Sequence, residues 1–524
     1  LRDPPASSLP LFRKQREMME LFLSCMVLFV LTLATLGAHW IWVVSSSRAG
    51  SKLPPGPFPL PIIGNLLALG KKPHQSLAKL AETHGPIMTL KFGQVTTIVV
   101  SSADMAKEVL LTHDHSLSSN RVIPQAVQVH NHHNHSITFL PVSPLWRDLR
   151  KICIANLFSN KTLDASQDLR RSKLHQLLHD IHRSSLAGEA VDVGKAVFNT
   201  SMNLLSNTFF SLDLVHSSSS AAAVDFKDLV LKIMEESGKP NLADFFPVLK
   251  FMDPQGIKTR TTVYTGKIID TFRALIHQRL KLRENNHGHD TNNDMLNTLL
   301  NCQEMDQTKI EHLALTLFVA GTDTITSTVE WAMAELLQNE KAMSKAKQEL
   351  EETIGRGKAV EESDIGRLPY LQAVIKETFR LHPAVPFLIP RKANADVEIS
   401  GGYTIPKDAQ VFVNVWAIGR NSSIWKNNAN VFSPERFLMD SEDIDVKGHS
   451  FELTPFGAGR RICLGLPLAM RMLYLVLGSL INCFNWKLVE DDDVMNMEDS
   501  FGITLAKAQP VILIPEKVHG VIVS

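Results

Sequence analysis

The sequence predicts a mainly α protein, in which one large α-rich domain with a few short strands follows a single N-terminal transmembrane helix. Apolar residues recur at helical spacing in many stretches, whereas the alternation typical of strands is short and rare. No internal repeat or change of composition divides the body of the 524-residue chain, so we expect one domain there. The helical stretches are 103–111, 163–183, 224–236, 260–282, 308–338, 340–354 and 369–381, and the strands are 87–92, 96–100 and 409–415.

The composition excludes several classes of protein. The chain carries 54 Lys and Arg against 54 Asp and Glu, so it has no net positive field to attract a nucleic acid, and we expect no such partner. Its 44% of hydrophobic residues argues against disorder. The five cysteines are odd in number and lack any CxxC spacing, which argues against a disulfide framework, a zinc site and an extracellular location.

The first predicted element is the uncharged segment 21–44, which follows a leader of residues 1–20. About 20 apolar residues are enough to cross a bilayer, so we expect a retained membrane anchor. A signal peptide and a buried helix are the alternatives, although a signal peptide has a shorter apolar region and a cleavage site. Basic residues on both sides of the span compete for the cytoplasmic face. A native start at Met18 or Met19 would remove that conflict, so we expect residues 1–17 to be non-native and the body to be cytoplasmic.

A proline-rich hinge, residues 45–66, follows the span and contains LPPGPFPLPIIGN. Proline favours an extended and semi-rigid path, so this hinge would hold the body at a set angle to the membrane. A proline-rich ligand for another domain is the alternative. We assign residues 67–524 to the α-rich domain.

The most specific stretch is PFGAGRRICLG, residues 455–465, which precedes an apolar helix. Its three glycines allow close approach of the backbone to another group. Neighbouring arginines and a helix N-terminus favour the thiolate form of Cys463. Such a thiolate suits a nucleophile or an axial metal ligand, and a buried structural cysteine is the alternative.

This loop resembles the cysteine loop of the cytochrome P450 family, F-x-x-G-x-R-x-C-x-G, at Phe456, Gly459, Arg461, Cys463 and Gly465. The resemblance implies the cytochrome P450 fold and haem b as cofactor. It makes Cys463 the proximal ligand of the iron, with Phe456 and Arg461 beside the haem. A thiolate ligand donates electron density to the iron and favours cleavage of the O–O bond.

Three further stretches match the family in the expected order. In KETFR, Glu377 and Arg380 stand three residues apart, and the family joins this pair to Arg436 of PERF in a buried structural network. On residue spacing alone, a surface ion pair is the alternative.

The second stretch, AGTDT, lies inside the long predicted helix 308–338. Glycine and β-branched residues are poor helix formers, so this helix could bend around a ligand, and an ordinary core helix is the alternative. The resemblance makes Asp323 and Thr324 the acid–alcohol pair that delivers protons. Many relatives have Thr or Ser next, where this chain has Ile325.

The third set concerns the haem propionates, which need cationic or hydrogen-bonding partners. The resemblance assigns Trp146, Arg150, Arg391 and Arg461 to them. Arg147 and Lys151 are as well explained by a solvated helix face, and this basic patch could also dock an acidic reductase.

Within the family the chain resembles the plant microsomal terpenoid hydroxylases, the group that contains geraniol 8-hydroxylases. Segments 384–390 and 501–505 line the pocket in that group, so the apolar candidates for substrate contact are Ala320, Val385, Phe387 and Ile503. The His-rich stretch 130–135 falls in a mobile loop over the pocket. A polar lid is the favoured interpretation of it and a metal site the alternative.

The resemblance therefore predicts a monooxygenase of the endoplasmic reticulum membrane that hydroxylates a small apolar terpenoid, with a geraniol-like monoterpenol favoured. Its partners would be dioxygen, membrane lipid and NADPH-cytochrome P450 reductase, since no nucleotide-binding motif is present. The alternatives are hydroxylation of a larger terpenoid such as a diterpene, or of another plant specialised metabolite. A haem-thiolate isomerase that does not use dioxygen is disfavoured by the intact Asp323–Thr324 pair.

Overall fold

The computed structural model describes residues 52–215, 221–285, 294–426, 428–438, 444–489 and 495–518, with residues 18, 19, 22–32, 35 and 37 of the N-terminal part; for 221–225 it describes the backbone alone. The predicted leader, much of the predicted span and the hinge before residue 52 lie outside the described residues.

Helices dominate the described chain from residue 52 onward, as the sequence predicts. All seven stretches with helical spacing contain or overlap helices. Helix α7 lacks a predicted counterpart, because it is buried on most faces and its apolar residues leave no clear stripe. The helices are Pro73–His84 (α1), Ala103–Lys107 (α2), Asp114–Leu117 (α3), Pro144–Cys153 (α4), Asn160–Ala165 (α5), Gln167–Ala187 (α6), Val193–Phe210 (α7), Ala221–Gly238 (α8), Leu242–Phe245 (α9), Ile257–Asn285 (α10), Met295–Leu300 (α11), Gln307–Gln338 (α12), Glu340–Ile354 (α13), Pro369–Leu381 (α14), Val415–Ile418 (α15) and Leu466–Cys483 (α16).

The strands form small sheets at the edge of the helical body. The largest sheet has the order β1-β2-β8-β5-β3, in which β8 runs parallel to β2 and the other pairs are antiparallel. It contains all three predicted strands. The strands are Ile87–Phe92 (β1), Val95–Val100 (β2), Asn120–Arg121 (β3), Val191–Asp192 (β4), Arg391–Lys392 (β5), Val397–Ile399 (β6), Tyr403–Ile405 (β7), Gln410–Val413 (β8), Phe484–Leu488 (β9), Asp499–Ser500 (β10), Ala506–Lys507 (β11) and Ile512–Lys517 (β12).

Helix α12 runs through the core and packs against α7, α10, α14 and α16. It remains α-helical across Gly321. A Cβ at Gly321 would stand 2.9 Å from the Cδ1 of Leu205 on α7, and a Cβ at Gly194 of α7 would collide with the carboxylate of Glu330 on α12. These two glycines therefore bring the two helices close together, and the glycine of AGTDT serves helix packing.

Two apolar helices bear on the predicted membrane span. Among the described residues, α16 is long and apolar enough to cross a bilayer, but 67% of it is buried inside the body. Phe22–Thr32, inside the predicted span, is a shorter apolar helix with exposed side chains.

Candidate functional site

The cysteine loop is a tight turn held on both sides. The N–H of Cys463 donates to the carbonyl of Phe456 over 3.0 Å, and the Phe456 ring meets Phe379 edge-on at a centroid distance of 5.3 Å. Gly459 has a φ of 68°, and a Cβ there would collide with the carbonyl of Leu110. Glycine is therefore required at this position for both backbone conformation and space.

Many protein atoms surround the thiol of Cys463, and its side chain nevertheless remains accessible. Burial raises the pKa of its thiol, while the N–H groups of Gly465 and Leu466 and the guanidinium of Arg150 act in the opposite direction. The Nη2 of Arg150 donates to the carbonyl of Ile462 over 2.9 Å. These contacts hold the sulfur and its nearest cation in a fixed arrangement.

Helix α12 faces open interior space. Ala320 is exposed in the middle of this largely buried helix, and Asp323 and Thr324 are half-buried beside it. The hydroxyl of Thr324 donates to the Ala320 carbonyl over 2.9 Å. Burial raises the pKa of Asp323, partly offset by the nearby Thr504 hydroxyl. Ile325 lies in the hydrophobic core, so the departure from the family pattern does not reach the open space.

The two predicted substrate-contacting segments are fastened to α12 and to each other. Ser327 and Trp331 of α12 both donate to the carbonyl of Leu505 over 2.9 Å. The N–H of Leu505 donates in turn to the carbonyl of Ala384 over 2.8 Å. The contacts thereby place segments 384–390 and 501–505 along one side of α12.

The four candidates for substrate contact differ in accessibility. Ala320 is exposed, and Val385 and Ile503 are half-buried. Phe387 is buried and its ring stacks on Phe412 at 5.1 Å. The structure therefore gives Phe387 a supporting position in the wall, whereas the other three are accessible.

Three buried arginines gather beside the cysteine loop. Arg121 of β3 and Arg391 of β5 are register partners, and Arg461 is close enough to affect the pKa of both. Burial lowers the pKa of Arg391 and Arg461 to about 10 and also lowers that of Arg121. Within the part of the chain that the structure describes, the Nη1 of Arg391 and the Nε of Arg121 are buried without a hydrogen-bond partner. The carboxylate of Asp114 lies near these arginines, but it forms its ion pair with Arg460.

Arg121 was missed at the sequence level. It stands alone in SSNRVIP, and only the pairing of β3 with β5 brings it to the predicted arginines.

Trp146 lies between two of the predicted cationic side chains. Its ring faces the guanidinium carbons of Arg150 and Arg461 at 5.4 and 5.2 Å from the centroid. The indole N–H donates to the carbonyl of Ile137 over 3.0 Å. Trp146 therefore orients the two arginines through the face of its ring.

The residues present fit haem b. The group needs a thiolate ligand, space for a flat ring and cations for two propionates. Cys463 is accessible, and Arg121 and Arg391 have buried N–H groups without partners among the described residues, as an anion-binding edge requires. Cys463 would bind the iron, and the arginine cluster with Arg150 and Trp146 would surround the propionates.

The predicted Glu377 network is assembled. Arg380 binds both oxygens of the Glu377 carboxylate over 2.7 Å, and both side chains are fully buried. Arg436 reaches the same carboxylate at 3.2 Å, and the N–H of Ser433 donates to it over 2.8 Å. Arg380 also donates to the carbonyls of Gly419, Ala429 and Val431. The network therefore ties α14 to the segment that leads toward the cysteine loop.

Comparisons with known proteins agree with this geometry. The family model described as Cytochrome P450 matches residues 54–514. A geraniol 8-hydroxylase of Catharanthus roseus is 54% identical over 90% of this chain and 95% of its own length. A geraniol 8-hydroxylase of Swertia mussotii is 53% identical over 89% and 94%. A drimenol monooxygenase of Persicaria hydropiper is 52% identical over 90% and 94%.

Proposed function

The chain belongs to the cytochrome P450 family, and from this premise we propose that it hydroxylates a small apolar terpenoid, with a geraniol-like monoterpenol favoured. It is a cytochrome P450 monooxygenase with haem b as cofactor. The observation that carries the substrate proposal is the 54% identity to a geraniol 8-hydroxylase over nearly its whole length. The accessible wall residues Ala320, Val385 and Ile503 are apolar, which suits a hydrocarbon skeleton positioned by shape.

The chain's own residues divide the work around the cofactor. Haem b supplies, when bound, the iron chemistry that activates dioxygen for insertion into a C–H bond. Cys463 holds it from the side of the cysteine loop. Asp323, with its raised pKa, can hold a proton on its carboxyl group and donate it to the oxygen of Thr324, which in turn releases its own hydroxyl proton toward dioxygen. The hydroxyl of Thr324 already donates to the Ala320 carbonyl, so its lone pairs are free to accept.

Electrons would come from NADPH-cytochrome P450 reductase. Arg147 and Lys151 are exposed on α4, the helix that also carries Arg150. Arg150 donates to the carbonyl of Ile462, the residue before Cys463. A basic patch this close to the thiolate ligand suits an acidic electron donor.

The chain would be anchored in the endoplasmic reticulum membrane by residues 21–44, with its body on the cytoplasmic side. In support, two exposed apolar groups lie near each other on the body. Ile62 and Leu67 are 78% and 74% exposed, and Val248 and Phe251 are 66% and 82% exposed. Gly64, which lies between Ile62 and Leu67, forms a β-bridge with Phe92 at the end of β1. The N–H of Gln94, just after β1, donates to the carbonyl of Phe245 over 3.0 Å, and Phe245 shortly precedes Val248 and Phe251. Such a patch suits contact with lipid.

A larger terpenoid is the second candidate, favoured by the 52% identity to a drimenol monooxygenase. An isomerase without dioxygen is a weaker candidate, because Asp323 and Thr324 are both present.

The test is product analysis of membranes that contain the chain and a plant reductase, supplied with geraniol and NADPH. NADPH-dependent hydroxygeraniol is the expected result, and membranes with the Cys463→Ala variant are the control. Haem-loaded protein that converts a larger terpenoid alcohol but not geraniol would move the substrate proposal to the second candidate. Conversion without dioxygen would contradict the reaction class.

A further inference from the structure

The His-rich stretch packs against two helices of the body. His130 contacts the carbonyl of Thr262 on α10 through its Nε2 over 2.8 Å. His132 approaches His312 of α12, with 3.0 Å between their Nδ1 atoms, and both side chains are buried. Among the described residues no group of three or more His, Cys, Asp or Glu side chains could hold a metal ion. The His132–His312 contact is therefore best described as a hydrogen bond between imidazoles.

A second contact repeats this connection one helical turn later. The hydroxyls of Ser136 and Thr316 are 3.0 Å apart and both residues are buried. The ring of His135 stacks on that of His312 at 5.0 Å with an angle of 6° between the planes. The stretch is thus fastened to α12 at two successive turns.

These turns belong to the side of α12 that carries the site. Positions 312, 316, 320 and 324 are four residues apart and lie along one stripe of the helix. Ala320 and Thr324, farther along this stripe, face the open interior space. Beyond the His-rich stretch, Arg461 of the cysteine loop donates to the carbonyl of Leu140 over 2.6 Å. The segment 129–140 therefore runs from the His312–Thr316 part of α12 to the cysteine loop.

The imidazole contact requires at least one neutral ring, because the Nδ1 that accepts the hydrogen bond cannot carry a proton, and it breaks when both rings are protonated. Burial and neighbouring histidines lower the pKa of His132 to about 3 and that of His312 to about 4. The neighbouring groups are His130, His133 and His135 in the stretch and Arg273 on α10, which binds Glu311 of α12 at 3.1 Å. No carboxylate in this set contacts either ring, so the surroundings favour the neutral pair at neutral pH.

We propose that His132 and His312 form a latch that holds segment 129–140 closed over the substrate pocket and so restricts the pocket to slender substrates. The effect of the latch on substrate size rests on the proposed function, whereas the contact between the two histidines does not depend on which substrate is bound. His132 and His312 are positioning residues, because they act through the segment that they hold.

The test is amide hydrogen exchange of the full-length, haem-loaded protein with substitutions at the latch. His312→Phe keeps a ring of similar size and removes the hydrogen bond, so exchange in segment 129–140 should accelerate at least tenfold. His133→Phe is the matched control, because the Nδ1 of His133 has no hydrogen-bond partner among the residues that the structure describes. His312→Asn returns a side chain that can bond to His132, and it should restore most of the protection. Residues of α16 should exchange unchanged in all three variants.

Substrate selection gives the second readout. With the latch removed, the spectral dissociation constant for geraniol should rise several-fold, and that for a larger terpenoid alcohol should fall. Equal exchange in the His312→Phe and His133→Phe proteins would overturn the latch, whatever the substrate. Faster exchange with unchanged selection would overturn its role in restricting the pocket. Faster exchange in a protein that converts neither alcohol would retain the latch and contradict the proposed function alone.

Discussion

Arg121 and Arg391 stand directly opposite each other in the antiparallel pair β3–β5, and both guanidinium groups are buried. Like charges in this arrangement repel each other, and burial adds a cost of desolvation. Each group keeps a buried N–H nitrogen that has no hydrogen-bond partner in the described ranges. An anion placed beside them would remove both penalties, and the propionates of haem b have that charge.

Loss of either arginine should therefore weaken retention of the haem. We expect Arg121→Met and Arg391→Met each to speed haem loss about tenfold or more, the effect of removing roughly 1.4 kcal/mol of charge-assisted binding. The measurement is the rate of haem transfer from the purified protein to an acceptor apoprotein. Lys392→Met is the control, because Lys392 neighbours Arg391 but pairs with the exposed Asp408. Equal rates for Arg121→Met and Lys392→Met would exclude Arg121 from the propionate site.

The acid–alcohol assignment predicts a specific loss in Asp323→Asn. The amide cannot hold and release the proton, so product formation should fall by about 100-fold, the lower range for a lost acid–base group. NADPH consumption should continue, with hydrogen peroxide as the excess product. The measurement is the ratio of hydroxylated product to NADPH oxidised. Ile325→Val, a change in the core beside the pair, should leave that ratio unchanged, and a similar fall in both variants would contradict the assignment.

The sequence predicts the helical body, the cysteine loop and the Glu377 network, because each depends on residues close together or on a family motif. What it leaves out depends on contacts between distant segments. Arg121 becomes part of the site through the pairing of β3 with β5. Ile325 follows the acid–alcohol pair in the sequence and departs from the family pattern there, but its side chain lies on the face of α12 that packs in the hydrophobic core. The space saved at Gly321 is taken by Leu205 from another helix, which no local pattern indicates.

The Glu377 network should be essential for folding, because its ions are fully buried. Removing one partner of a buried ion pair costs about 3–5 kcal/mol, so Glu377→Gln should lower the free energy of unfolding by that amount or abolish haem incorporation. Urea unfolding and the yield of haem-loaded protein are the measurements. Lys345→Met removes an exposed pair with Glu435 and should cost at most about 1 kcal/mol. Similar losses of unfolding free energy in both variants would mean that the buried network stabilises the fold no more than an exposed ion pair does.

The latch histidines predict how stability depends on pH. Their pKa values, about 3 and about 4, lie below the ordinary value of 6.5, so the unfolded chain binds protons that the folded one excludes. Their contribution is therefore complete above pH 6.5 and is lost as the pH falls toward 4. Within that window each histidine lowers the free energy of unfolding by up to about 1.4 kcal/mol for each unit by which the pH falls.

His132→Phe removes one of these groups, so the free energy of unfolding should fall less steeply between pH 6.5 and 5 than in the wild-type protein. Urea unfolding of both proteins at several pH values measures the two slopes, and their difference cancels the titration of all other groups. The exposed His449 provides the control, since His449→Phe leaves the latch intact and should keep most of the wild-type slope. Parallel curves for wild type and His132→Phe would show that His132 titrates in the folded protein as it does in the unfolded chain, and the neutral imidazole pair would then be wrong.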